Sequence, residues 1–183
     1  MSEEYLIRHC APTLAGLKTG SLFTCPYRQK EEIRQALCSL NRRLRGKGLR
    51  AVPLRFSEKN ALIYLYRPRK LTQDMADSQA DQLLRSQGYK MGSCDFCVAQ
   101  LRRRLACQED FPHEIGLFLG YPVEDVRGFM EQGPDKCKCV GCWKVYGDPE
   151  AAQKVFAQYR KCTRVYQEQW TKGKDIERLT VAG

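Results

Sequence analysis

Residues 49–68 decide the fold of this chain, and they read LRAVPLRFSEKNALIYLYRP. Two strand-like runs, 49–56 and 60–68, lie on either side of the polar triplet Ser57-Glu58-Lys59. A separation of about three residues between two such runs is typical of a β-hairpin. Pro53 falls inside the first run and has no N–H to donate, which predicts a free edge on that strand.

One more strand and one helix precede the hairpin. The stretch GSLFTC, residues 20–25, is a candidate strand, and the apolar residues of 30–44 recur at helical spacing with a basic far side. Gly46 and Gly48 then end the helix. The order β-α-β-β predicts a small antiparallel or mixed sheet in the N-terminal half, with a helix on one face.

The rest of the chain is predicted to be mainly helical. Asp148 as N-cap and Pro149 at the first helical position mark the start of the last helix. Residues 3–17 also favour a helix, interrupted by Pro12, and the tail DIERLTVAG (175–183) favours a short strand. The last helix is predicted at 149–171, and four further helices are predicted at 74–87, 94–107, 112–119 and 122–132.

Strands first and helices after is the pattern of an α+β protein. We expect one domain over 1–183, with a basic portion at 1–70 and a helical portion at 71–183 that contains a Cys-rich loop at 137–142. The hydrophobic fraction of 43% is that of a globular chain. No apolar run approaches the roughly 18 to 20 residues that cross a bilayer. The first residues, MSEEYLIRHC, lack an apolar signal segment, so we expect a cytoplasmic protein.

The net charge of +10 is concentrated in the N-terminal third. Residues 1–70 hold 15 Lys and Arg against 5 Asp and Glu, whereas 71–183 hold 16 of each sign. Such a surface attracts phosphates and carboxylates. We therefore expect an acidic partner or nucleic acid to bind through residues 28–70, with Arg42, Arg43 and Arg45 as the first charges to remove. The alternative is a surface that only keeps the protein in solution.

The strongest chemical motif is C-x-C-x-x-C in the segment CKCVGCWKVYGD, residues 137–148. Ten cysteines in a reducing compartment favour metal binding, redox chemistry or simple burial over disulfides. The spacing predicts a zinc site or an iron–sulfur cluster. Its ligands would be Cys137, Cys139 and Cys142, with Cys162 or His113 as the fourth. Reactive thiols without a metal and inert cysteines are the alternatives.

The sequence suggests two further sites at which thiols could be functional. Ser93 could cap a helix that begins with the CxxC pair Cys94 and Cys97, as in dithiol redox proteins. Cys10 is poorly oriented toward its neighbour His9, because adjacent helical residues diverge. An arrangement of Cys10 with His113 and Glu114 would instead suit a thiol-dependent enzyme. The chain contains no glycine-rich phosphate loop, so no nucleotide motif is found.

The stretch FPHEIGLFLGYPVEDVRGFM, residues 111–130, reads as two short helices joined at Gly120-Tyr121-Pro122. A DNA-reading helix would be cationic, and this second helix is acidic, so we expect a tight helix–helix corner rather than a DNA reader. His113 and Glu114 could act as a base beside a carboxylate or adjoin a metal. They could equally be structural.

Four segments together carry a resemblance to a known family: CAPTLAGLKTGSLF at 10–23, the hairpin, the 111–129 stretch and CKCVGCWKVYGD. The chain resembles a family of bacterial proteins of unknown function, mainly from anaerobes, marked by Pro-His-Glu and Leu-Gly-Tyr-Pro motifs. Those motifs fall at 112–114 and 119–122. The resemblance implies that His113 and Glu114 belong to a motif that defines the family. It also favours an iron–sulfur cluster over zinc. It supplies no reaction, so our leading expectation is a role in redox or metal metabolism. The alternative is a metal-stapled module that binds nucleic acid or a protein partner through its basic N-terminal face, with the cysteines in a structural role.

Overall fold

The computed structural model of the chain describes residues 2–107 and 110–183. Its N-terminal half confirms the predicted β-α-β-β order, preceded by a helix. The Leu44 end of the second helix passes into a short 3-10 turn at Arg45–Lys47. The elements are α1 (Glu3–Leu14), β1 (Gly20–Pro26), α2 (Lys30–Leu44), β2 (Arg50–Phe56) and β3 (Asn60–Tyr66).

The three strands form an antiparallel sheet in the order β1-β3-β2. β2 and β3 are the predicted hairpin, and Ser57-Glu58-Lys59 is its loop. β2 is an edge strand, as Pro53 predicted, and its register against β3 shifts between Pro53 and Arg55. A shift of this kind bends the strand and increases its twist.

Helices cover both faces of the sheet, whereas the sequence predicted a helix on one face. Ala61, Ile63 and Leu65 of β3 pack into the core formed with α1, α2 and the C-terminal segment. Tyr64 and Tyr66 pack into a second core formed with the central helices. The strand reads NALIYLY, and a nearly continuous apolar strand is one that is buried on both sides.

The C-terminal half is helical, which confirms the α+β fold class. The bounds predicted for α5 and α8 are confirmed. Among the described residues, no helix is long and apolar enough to span a bilayer. The helices are α3 (Pro68–Met75), α4 (Ser78–Ser86), α5 (Cys94–Cys107), α6 (Ile115–Phe118), α7 (Val123–Gln132), α8 (Pro149–Thr171) and α9 (Ile176–Leu179).

Several predicted elements were wrong in extent or type, and most of the errors trace to capping. The helix predicted at 74–87 is two helices, because the Asp77 carboxylate accepts hydrogen bonds from the N–H groups of Gln79 and Ala80 and starts α4 anew. The tail predicted as a strand is helix α9, since Asp175 caps it by accepting from the N–H of Arg178. α1 runs through Pro12 to Leu14, and α6 is shorter than predicted.

Candidate functional site

The Cys-rich loop is a small hairpin fixed to helix α7 by one carboxylate. β4 (Cys139–Val140) and β5 (Lys144–Val145) pair antiparallel. Asp125 of α7 is buried and accepts three hydrogen bonds from this segment. The donors are Nε1 of Trp143 at 2.6 Å and the backbone N–H groups of Tyr146 and Gly147, each at 2.7 Å. Asp125 therefore holds the loop in place.

The cysteines predicted as ligands lie in different surroundings. Cys139 packs with Trp143 against the small core of Val145, Ala152 and Phe156. Cys142 is exposed and lines a cavity beside helix α8. Cys162, a residue of α8, is buried, and burial raises the pKa of its thiol to about 11. Cys137 is partly exposed.

The predicted metal centre rests on the spacing of the cysteines along the sequence. Among the described residues, no group of three or more His, Cys, Asp and Glu side chains could hold a metal ion. The zinc or iron–sulfur site therefore stays a prediction from spacing alone. Its test is metal analysis of protein purified without oxygen: the site requires near-stoichiometric zinc or iron that is lost on Cys139→Ser, and metal retained in that variant would contradict it.

His113 and Glu114 point in different directions. The Glu114 carboxylate is buried, lies 2.9 Å from Nε of Arg104, and accepts a hydrogen bond of 3.1 Å from the Tyr89 hydroxyl. His113 is exposed, with its ring edge against Phe129 at 4.8 Å between centroids. It lines a cavity of about 210 Å³ that adjoins the Cys-rich hairpin. Only His113 lies where a ligand could reach it.

Cys10 is not placed as a nucleophile. It is fully buried in α1, and burial raises the pKa of its thiol to about 12, against the opposing effects of Lys18 and Ser21. The structure does not bring it together with His113 or Glu114, whose neighbours are described above. In the CxxC pair, Ser93 caps α5 as predicted by accepting from the N–H of Phe96, but burial raises the pKa of the inner thiol, Cys97.

The basic charges of residues 28–70 divide between the interior and the surface. Arg43 is held between Glu177 and Glu3, and these hydrogen bonds raise its pKa. Arg67 is buried and donates to backbone carbonyl groups. Arg43, one of the three arginines predicted to contact a partner, is therefore engaged in ion pairs at the surface, whereas Arg42 and Arg45 are exposed and have no ion pair among the described residues.

Two grooves flank the edge strand β2, and we call them the β2 grooves. The groove between β2 and α2 has a volume of about 470 Å³, and the groove between β2 and α5 about 510 Å³. Val52 lines both grooves, so they meet at this residue. Three arginines line each groove: Arg34, Arg42 and Arg45 on the α2 side, and Arg50, Arg102 and Arg103 on the α5 side.

The edge of β2 is closed to a further strand. Nδ2 of Asn41 donates to the carbonyl of Ala51 at 2.8 Å, and its Oδ1 accepts from the N–H of Ala51 at 2.7 Å. Two residues on, Pro53 has no N–H to offer. Because these positions satisfy or remove the free backbone groups, the edge is protected against strand addition.

Two of the six groove arginines form ion pairs with carboxylates of the protein, and the other four do not, among the residues that the structure describes. Arg34 pairs with Glu31 at 2.8 Å, and Arg50 pairs with Asp95. Arg42, Arg45, Arg102 and Arg103 are exposed, and the described part of the chain offers them no ion pair. The sequence prediction missed the last two of these.

A signal for Arg102 and Arg103 was present in the helical period of α5. Its buried residues include Val98, Leu101 and Leu105, which fixes the inner face of the helix. Arg102 and Arg103 fall outside this face and are exposed.

A three-stranded sheet between two helical layers, with grooves lined by arginines along the β2 edge, defines a small α+β protein. The chain belongs to the family described as "Protein of unknown function (DUF3793)", whose family model matches residues 6–180. The predicted resemblance to a family of unknown function is thereby confirmed. Neither the curated proteins nor the solved structures contain a match to the chain.

Proposed function

We propose that this protein is a binding module that docks an acidic protein segment in the two β2 grooves. The observation that carries the proposal is the set of six arginines that line grooves meeting at Val52. A guanidinium presents a planar fork of donors that matches a carboxylate in a bidentate pair. Because α2 and α5 each carry arginines, one bound segment across the β2 edge could be held by its acidic side chains from both helices.

The floors of the grooves favour a protein segment over nucleic acid. Val98, Ala99 and Ala106 lie on the α5 side together with Val52, and Leu37 lies on the α2 side. Nucleic acid is held mainly through its phosphates and by the stacking of unpaired bases on aromatic rings, whereas these floor residues are aliphatic. An acidic segment with apolar anchors would use the floor and the arginines together.

The closed edge of β2 favours a helical partner. Binding by strand addition needs free backbone groups on the edge, but Asn41 satisfies both groups of Ala51 and Pro53 has no N–H to donate. An amphipathic helix needs only an apolar groove for its anchors and charges that complement its polar face. We therefore propose an acidic amphipathic helix as the occupant.

The test is fluorescence anisotropy with two probes at physiological salt: an acidic amphipathic helical peptide and a single-stranded RNA of equal charge. The variants are Arg102→Glu with Arg103→Glu, and Arg42→Glu with Arg45→Glu. Each removes charge-assisted hydrogen bonds of about 1.5–3 kcal/mol, so peptide affinity should fall about tenfold or more. The control, Lys154→Glu with Lys161→Glu, makes the same charge change on the exposed residues of α8.

Peptide binding that both groove variants weaken and the control leaves intact supports the proposal. Binding of the RNA alone, with a steep dependence on salt, would replace it with nucleic-acid binding. Binding of neither probe, or equal losses in the control, contradicts it. We also propose a cytoplasmic location, which ten free thiols support because such thiols persist in reducing compartments.

A further inference from the structure

A cavity that shares no lining residue with the β2 grooves gathers reactive side chains from distant parts of the sequence. It has a volume of about 350 Å³ and lies between α1, the start of β1, the Cys-rich hairpin and α8. We call it the Lys18 pocket. Its size is within the usual range of small-ligand sites, about 300–1,000 Å³. Its lining includes Lys18, Cys142, Tyr159, Arg160 and Arg164.

The charge in the Lys18 pocket has one sign. Lys18, Arg160 and Arg164 contribute cations, and none of the described residues that line it carries a carboxylate. Glu168 lies 3.8 Å from Arg164, but both side chains are more than half exposed, and such a pair contributes little. The pocket therefore attracts an anion.

Two of these cations repel each other in the free protein. Arg160 and Arg164 are four residues apart on α8, so their side chains lie on the same face of the helix. Like charges at this spacing destabilise a helix by a few tenths of a kcal/mol. An anion bound between them would reverse the sign of the interaction.

Lys18 lines the same pocket as the two arginines but comes from the segment between α1 and β1. Its ammonium is half-buried and lies 5.1 Å from the ring centroid of Tyr121. Burial lowers the pKa of Lys18, and the acidic groups that oppose this effect are the thiols of Cys142 and Cys10. A half-buried ammonium without a carboxylate beside it is poised to meet a ligand anion.

We propose that the Lys18 pocket binds a small phosphorylated molecule. A carboxylate offers two oxygens on one side, which one guanidinium can take up. Cations that come from two separate segments, as Lys18 and Arg160 do, suit an anion that presents oxygens in several directions, as a phosphate does. This inference is independent of the β2 grooves and goes beyond the proposed function.

Cys142 provides a direct readout because its thiol is exposed and lines the pocket. The experiment measures the rate at which iodoacetamide alkylates Cys142 in the full chain, by peptide mass spectrometry. The rate is compared with and without inorganic pyrophosphate, with sodium chloride keeping the ionic strength constant. Pyrophosphate is expected to slow alkylation of Cys142 at least about fivefold when the pocket is mostly occupied.

The variants are Arg160→Gln and Lys18→Met, with Lys161→Gln as the matched control. Lys161 follows Arg160 on the same helix, is exposed, and does not line the pocket. Each pocket variant removes a charged contact, so protection should need about tenfold more pyrophosphate. Lys161→Gln should be protected like the original chain.

Absence of protection at Cys142 would overturn the proposal. Equal protection in Arg160→Gln and Lys161→Gln would overturn it as well, because it would mean that total charge rather than the pocket governs the effect. Arg160 is exposed on α8, so its variant tests the pocket without changing a partly buried side chain.

Discussion

Arg67 donates from its Nη2 to the carbonyl oxygen of Leu14, the last residue of α1, at 2.8 Å. Its Nε donates to Thr13 at 2.7 Å, and Nη2 also donates to Val181 of the C-terminal tail at 2.7 Å. The carbonyl groups at a helix C-terminus carry the negative end of its dipole. One buried cation therefore joins the end of β3, the end of α1 and the tail, and backbone carbonyls take the place of a carboxylate.

Arg67→Lys is expected to destabilise the protein by about 3 kcal/mol or more. Lysine keeps the charge but not the planar fork, so it leaves buried carbonyl groups unsatisfied. Urea unfolding measures the loss. The control is Arg69→Lys, two residues away and exposed, which should change the free energy of unfolding by less than about 0.5 kcal/mol. A loss below about 1 kcal/mol at Arg67 would show that the contacts contribute little.

Glu114→Gln is expected to cost about 2–4 kcal/mol of unfolding free energy, because it leaves the Arg104 guanidinium without its anion in a largely buried site. Adding Arg104→Met should recover part of that loss, since it removes the unpaired charge. Thermal and urea unfolding of the single and double variants form a thermodynamic cycle. Full additivity of the two single effects would mean that the pair is not coupled.

The same cycle separates the two interpretations of the Pro-His-Glu motif. If Glu114 were a functional carboxylate, its replacement would leave stability nearly unchanged. The contacts with Arg104 and Tyr89 instead predict a structural role. His113, exposed beside Phe129, should tolerate replacement by Gln with a change below about 0.5 kcal/mol.

Asp125→Asn is expected to loosen the Cys-rich hairpin. The amide keeps the size of the carboxylate but replaces one acceptor oxygen with a donor, which conflicts with the N–H groups that face it. The fluorescence of Trp143 should shift, and alkylation of the partly buried Cys139 should become faster. Glu124→Gln, at the exposed neighbouring position, is the control. Unchanged Cys139 reactivity would show that other contacts hold the hairpin.

Sequence features within a single element or turn correctly predicted those elements whose bounds depend on neighbouring residues. The bounds of α2 and α8 and the β2–β3 hairpin follow from apolar spacing, a cap and a short loop. The break between α3 and α4 was also local, at Asp77, but the apolar period continues across it and obscures the cap.

The sites depend on contacts between distant segments, which spacing does not reveal. Cys137, Cys139 and Cys142 are close in sequence, yet the hairpin turns Cys139 toward Phe156 and leaves Cys142 in the Lys18 pocket. Lys18 and Arg160 meet only because α8 packs against α1. The β2 grooves similarly need α5, which lies outside the basic segment that the sequence singled out.

Lys18→Met is expected to stabilise the protein near pH 7, by an amount that shrinks as the pH rises. Burial holds the folded-state pKa of Lys18 below its ordinary value of 10.5. At pH values between the lowered folded-state pKa and 10.5, the unfolded chain keeps the Lys18 proton that the folded chain has lost. The stability of the original protein therefore rises with pH in that window. Below the window the original protein bears the full cost of the buried charge, and methionine removes it.

Other groups titrate in the same range, and the comparison of variants separates them. The Cys10 thiol has a folded-state pKa of about 12 against 9.0 in the unfolded chain, so its contribution to stability falls as the pH rises between these values. Lys18 lowers the pKa of Cys10, so replacing Lys18 alters this contribution only near the folded-state pKa, above the pH range measured. Urea unfolding from about pH 7 to about pH 10 gives the difference in stability. Lys161→Met controls for the loss of one surface charge. A Lys18→Met advantage that stays constant or grows with pH would contradict the burial of this ammonium.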